Sequence, residues 1–167
     1  MNAEQYTALS RPFRGNPAAL RALVLVNEGL KWLCYLLYPM LLILVTLHDP
    51  SLLLKEILVP AVLFIGLSVF RRLYNAPRPY EALAIDPLMH KDTQGKSFPS
   101  RHIFSVFVIA MCWLAYCPPL GIALLVGGVV MAIIRVVGGV HYPRDVIAGA
   151  LVAVFGGILG LWILPLS

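Results

Sequence analysis

Five apolar stretches, each long enough or nearly long enough to cross a bilayer, constrain this chain more than any other feature of it. A hydrocarbon core of roughly 30 Å is crossed by about 20 mainly apolar helical residues. The first stretch runs from about Ala18 to Leu47, interrupted by Asn27, Glu28 and Lys31, and the second from about Ser51 to Phe70. The third spans Ser100 to Cys117, the fourth Pro119 to about Gly139, and the fifth Pro143 to about Leu166. His48, Asp49 and Pro50 turn the first into the second, and Cys117 with Pro118 and Pro119 turns the third into the fourth. Backbone polar groups in lipid must be paired within their own segment, so the pattern predicts an all-α, polytopic membrane helix bundle of about five transmembrane helices. Composition excludes a soluble globular reading: of 167 residues, 60% are hydrophobic and 13% charged, against roughly a quarter charged in soluble domains. That length suits one domain, expected as an N-terminal tail over residues 1–17 and a membrane-embedded unit over 18–167. No removable signal peptide is expected, because the first twenty residues have no short apolar core followed by a small-residue cleavage site.

Only one connection is long: residues 71–99 are polar, proline-bearing and without helical periodicity. In a compact bundle a loop of this size is usually functional. Because each spanning helix leaves on the face opposite its entry, the end of the second helix, the long loop, the start of the third, the end of the fourth and the start of the fifth share one face. Arg71, Arg78, Ser100, His102, Arg135, His141 and Asp145 therefore meet at one mouth. The glycines of the last two helices, among them Gly121, Gly128, Gly138, Gly139, Gly149 and Gly157, read as close helix contacts. Cys34, Cys112 and Cys117 have no paired spacing and read as core or lipid-facing residues.

Ionisable residues at membrane depth are costly and mark functional sites. Three arginines at one mouth suit anion handling, since guanidinium forks match phosphate oxygens bidentately, and helix amides behind a serine N-cap add neutral donors. Ser100 follows Pro99 and reads as that cap. His102, titrating near neutrality, suits a general acid for a leaving alkoxide. His141 and Asp145 are four apart around Pro143, which fits the first position of a helix. A carboxylate holding Nδ1–H leaves Nε2 free to attack phosphorus and form a phosphohistidine, chemistry that needs no metal. Glu28 and Lys31 read as a structural i, i+3 pair, and His48 and His90 as turn and loop residues.

These residues resemble the type 2 phosphatidic acid phosphatase family, whose motifs are K-x6-R-P, P-S-G-H and S-R-x5-H-x3-D. They correspond to Arg71 to Pro79 (RRLYNAPRP), Pro99 to His102 (PSRH) and Ile134 to Asp145 (IRVVGGVHYPRD), in the same order and with the same internal spacing. The resemblance implies that Arg71, Arg78, Ser100 and Arg135 hold the phosphate, that His141 is the nucleophile, that Asp145 orients it, and that His102 protonates the leaving group. Arg71 stands for lysine, Ile134 for serine and Arg101 for glycine. With its side chain turned aside in a helical first turn, Arg101 is expected to add a phosphate contact.

The function expected is that of an integral membrane phosphatase acting on a lipid phosphate or lipid diphosphate, of phosphatidate, phosphatidylglycerol phosphate or polyprenyl type. The alternative is a phosphate-binding transporter or receptor without turnover. No metal and no cofactor is expected; the partners are a membrane lipid substrate and the bilayer, with no nucleic acid, and the oligomeric state is left open. The expected location is the cell membrane. The family resemblance leans towards an outward-facing site, whereas the charges lean inward. With Arg71, Arg78, Arg101 and Arg135 set aside for the substrate, seven basic residues (Arg11, Arg14, Arg21, Arg72, Lys91, Lys96 and Arg144) oppose Lys55 alone, which predicts a cytoplasmic site.

Overall fold

A computed structural model describes residues 1–89 and 93–165; His90, Lys91, Leu166 and Ser167 are among those outside the description. The helices are α1 (Ala3–Arg14), α2 (Pro17–His48), α3 (Leu53–Tyr74), α4 (Pro79–Ala82), α5 (Arg101–Tyr116), α6 (Pro118–Val137) and α7 (Pro143–Gly157). A single 3-10 turn, Pro50–Leu52, leads into α3, and α7 continues as a wider π turn over Ile158–Ile163. Among the described residues, four segments are long and apolar enough to span a bilayer: Pro17–His48, Pro50–Ala82, Pro118–Val137 and Pro143–Ile163. The protein is thus a multi-pass, all-α membrane bundle.

The fifth expected span, α5, is shorter. Its 16 residues rise about 24 Å at 1.5 Å per residue. The reason lies in its surroundings: α5 packs against α2, α3, α6 and α7, and Ile103, Phe104, Val106, Met111, Cys112 and Trp113 on it are all buried. A helix sheathed by protein need not reach both interfaces. Around it the outer helices turn large side chains such as Leu36, Ile43, Val62, Ile133 and Phe155 outward, as lipid allows. Glycine permits the closest approaches. A Cβ on Gly121 would lie 2.5 Å from the Leu114 backbone, and one on Gly149 2.6 Å from the Ser100 carbonyl oxygen. Gly138 and Gly139, expected as helix contacts, form the turn after α6 instead.

Local signals set the helix starts. The Asn16 side chain accepts from the Ala18 and Ala19 amides at 3.1 Å, with Pro17 in the first turn of α2. Residues 1–17 are more than a tail, since Asn2 and Gln5 form a reciprocal capping box (3.0 and 2.9 Å) that starts α1. The long loop also starts later than expected. Arg71–Tyr74 is the last turn of α3, which stops where Asn75 takes φ 44°, a left-handed conformation asparagine tolerates.

The loop itself is cross-tied. The Glu81 carboxylate accepts from the amides of Arg78 (2.7 Å) and Gly95 (2.9 Å), and the Ser97 amide donates to Ala76 O at 2.9 Å.

Candidate active site

The mouth forms as the alternation of helices requires, and backbone bonds join its parts. The Ser100 amide, at the start of α5, donates to Asp145 O on α7 at 2.8 Å, and the Met89 amide donates to Gly138 O, after α6, at 3.1 Å.

His141 stands in the turn between α6 and α7, 1% exposed, with Asp145 one helical turn later at 0%. The Nδ1 atom of His141 lies 3.5 Å from Asp145 Oδ2, longer than a direct hydrogen bond. Beside the pair stands Ser97, fully buried, which the sequence pattern does not single out. Its hydroxyl donates to Asp145 Oδ2, and its Oγ lies 3.4 Å from His141 Nδ1. The Tyr142 amide gives the same carboxylate oxygen a further bond at 3.0 Å. Burial pushes the His141 imidazole down from 6.5 to about 4; Asp145 opposes this, and the nearby Arg135 and Arg78 charges add to it. At neutral pH His141 is therefore an uncharged base with its Nδ1 side occupied.

Around it are polar groups that the protein leaves unmatched. Arg135, at the end of α6, is 1% exposed, and its Nε and Nη1 have no protein partner. Arg78 donates from Nε to Gly95 O at 3.0 Å, while its buried Nη1 has no partner. The Ser100 hydroxyl, 0% exposed, also has none. Ser100 holds the N-cap position of α5 as expected, but its side chain makes no cap bond. Buried N–H and O–H groups are normally paired, so two buried guanidinium groups and a hydroxyl with free donors describe a cradle for a multiply charged oxyanion.

The other expected phosphate ligands are used differently. Arg71 is 7% exposed, and its Nη1 donates to the carbonyls of Ser97 (3.3 Å) and Pro99 and its Nη2 to that of Lys96. It thereby clamps the loop that carries Ser97 and Ser100. Arg101 points outward, its guanidinium 5.7 Å from the centre of the Phe64 ring on α3. It borders two cavities. One, about 400 Å³, is also lined by Arg71, Arg72, Arg78 and Lys96; the other, about 270 Å³, by His102, Cys34, Tyr35, Phe64 and Met131. Ile134, where the motif has serine, packs with Leu23, Met89, Val137 and Val140. Glu28 and Lys31 pair as expected. Among the described residues, no three His, Cys, Asp or Glu side chains are grouped as a metal would require.

Comparison with known proteins agrees with this fold. The chain matches the PAP2 superfamily over residues 18–166 and belongs to it. The structure of LpxE from Aquifex aeolicus superposes with a TM-score of 0.73 at 24% identity, over 96% of this chain and 94% of that one. A transmembrane PAP2 type phosphatidylglycerolphosphate phosphatase from Bacillus subtilis gives 0.52 at 20% identity, over 97% and 95%. At these identities the two share the fold. Bacitracin transport permease protein BcrC of Bacillus licheniformis is 38% identical over 69 residues, 41% of this chain and 34% of that protein. The match therefore spans about a third of that relative's length.

Proposed function

We propose that the chain is a metal-independent phosphatase of lipid phosphates or lipid diphosphates that works through a phosphohistidine on His141. The carrying observation is the buried His141, held on its Nδ1 side by Ser97 and Asp145, beside buried Arg78, Arg135 and Ser100 donors that lack protein partners. Nε2 attacks phosphorus, the bond from phosphorus to the lipid or diphosphate oxygen breaks, and His102 gives that oxygen a proton. Water then attacks phosphorus and gives a proton to His102, the bond from phosphorus to Nε2 breaks, and inorganic phosphate leaves. The two cavities meeting at Arg101, one basic and one largely apolar, suit a phosphorylated headgroup and the start of a hydrocarbon chain.

Release of inorganic phosphate from a panel of lipid mono- and diphosphates, in detergent with EDTA, tests the reading. Turnover that survives the chelator and stops with vanadate is expected. Binding without turnover would favour a transporter or receptor, and abolition by EDTA with rescue by a divalent ion would overturn the metal-free mechanism.

The role of His102 has its own signature. His102→Ala is expected to slow lipid phosphates far more than aryl phosphates with acidic leaving groups, because a good leaving group needs little protonation. Equal losses on both would remove His102 as the acid.

For sidedness, the reading follows the charges inward. Thr93→Cys in intact cells should stay unlabelled by an impermeant thiol reagent, in a background where Cys34, Cys112 and Cys117 are replaced. Labelling would turn the mouth outward.

A further inference from the structure

The family match starts at residue 18, so α1 lies outside it, yet one of its side chains is among the most buried in the protein. Tyr6 is 0% exposed. Its hydroxyl donates to Asp86 O at 3.2 Å and accepts from the Leu88 amide at 2.9 Å, bridging two backbone groups of the long loop. The hydroxyl end of its ring lies against Gly139, where a Cβ would come within 2.8 Å of Cε2, Cζ and the hydroxyl oxygen. Gly139 has φ +75°, a conformation that glycine alone takes without cost. On its other side the same turn is met by Met89, whose amide bonds Gly138 O and whose sulfur would be 2.7 Å from a Cβ on Gly138. Arg14, one helix face along from Tyr6, ties α1 to the same loop through Asp86 Oδ2 at 3.0 Å and is itself braced by Ser10 Oγ at 3.1 Å.

The consequence reaches the site within two residues, since Gly139 is followed by fully buried Val140 and then His141. A glycine pair is the freest backbone a chain can offer, and here only Val140 separates it from His141, whose position must be set to within a fraction of an ångström. We propose that Tyr6 is a positioning residue for His141: its ring backs the Gly138–Gly139 turn, while its hydroxyl fixes the 86–88 segment that closes over the turn from the other side. The inference rests on His141 being the nucleophile. Tyr6 touches neither the phosphate cradle nor the Asp145 carboxylate and acts through the turn.

The test uses the full chain in detergent, with turnover expressed per vanadate-titrated site. A purely structural loss lowers the number of sites, whereas mispositioning lowers the turnover of each. For Tyr6→Ala, turnover per site is expected to fall about 10- to 100-fold, the range a displacement near 1 Å commonly costs, with KM within about threefold. Tyr6→Phe keeps the ring and is expected to recover most of the rate. If Tyr6→Ala does not fold, Tyr6→Leu, apolar but without the flat ring, is read in its place. A folded Tyr6→Ala or Tyr6→Leu with normal turnover per site, a loss confined to KM or site number, or a Tyr6→Phe no better than Tyr6→Ala would overturn the proposal. His141→Ala is measured alongside: if it stays active, the nucleophile assignment fails, whereas an inactive His141→Ala beside a fully active Tyr6→Ala sinks the role of Tyr6 alone.

Discussion

His141→Ala is expected to lower turnover of lipid phosphate by about 10³-fold or more, the scale on which a nucleophile oriented by a carboxylate contributes. The loss is expected in kcat, because the substitution leaves Arg78, Arg135 and Ser100, the proposed phosphate ligands, in place. Asp145→Asn is expected to approach the same loss for a different reason. Asp145 Oδ2 receives both the Ser97 hydroxyl and the Tyr142 amide, and an amide nitrogen in that place would turn an acceptor into a donor. Ser97 would then lose its anchor and His141 its tautomer. The pH dependence carries a sign. Attack needs uncharged imidazole, and burial pushes His141 down to about 4, so its protonation removes activity only as pH falls towards that value. The acid limb of kcat/KM, which reports the free enzyme, should show no His141 inflection near the ordinary value of 6.5. Full activity in His141→Ala, measured as phosphate release on the best substrate, would refute the assignment.

Arg135→Met is the second large effect, and it separates activity from stability. Arg135 is 1% exposed with Nε and Nη1 unpartnered, so the folded protein bears the cost of a buried charge that its own groups only partly offset. Exchanging a buried ionic group for an apolar side chain of similar volume is often neutral or stabilising. The variant is therefore expected to melt no lower than wild type. Its kcat/KM should nonetheless fall about 10²- to 10³-fold, the usual cost of removing one donor from a group that stabilises developing charge. Thermal unfolding in detergent and phosphate release on the same preparation decide it. A protein that melts much lower would make Arg135 a structural residue, and unchanged kcat/KM would take it out of the phosphate cradle.

The site residues were legible in the sequence to the extent that they carry spaced, costly chemistry. Arginines and histidines at bilayer depth need a reason, and the alternation of helices brings Arg78, Ser100, Arg135, His141 and Asp145 to one mouth without any knowledge of packing. Ser97 was not legible, because a serine in a polar loop carries no signal until the Arg71 clamp on the carbonyls of Lys96, Ser97 and Pro99 sets it beside His141 and Asp145. Arg71 itself illustrates the limit. Its charge was readable, but whether its N–H groups face a phosphate or the protein's own carbonyls depends on how the loop folds back. Ser100 takes the expected N-cap position, but that its hydroxyl stays unpartnered, its amide bonds Asp145 O and its carbonyl packs on Gly149 are long-range facts. Five apolar stretches gave the bundle, yet the short, enclosed α5 and the buried face of α1 emerge only when helices are packed.

The measurement closest to the central claim is the stereochemistry at phosphorus. A lipid thiophosphate monoester made chiral with oxygen isotopes, hydrolysed in water of the third isotope, yields chiral inorganic thiophosphate. A phosphohistidine on His141 requires two displacements and predicts net retention of configuration. Net inversion would mean that water attacks the substrate directly, and His141 would then be at most a base for that water.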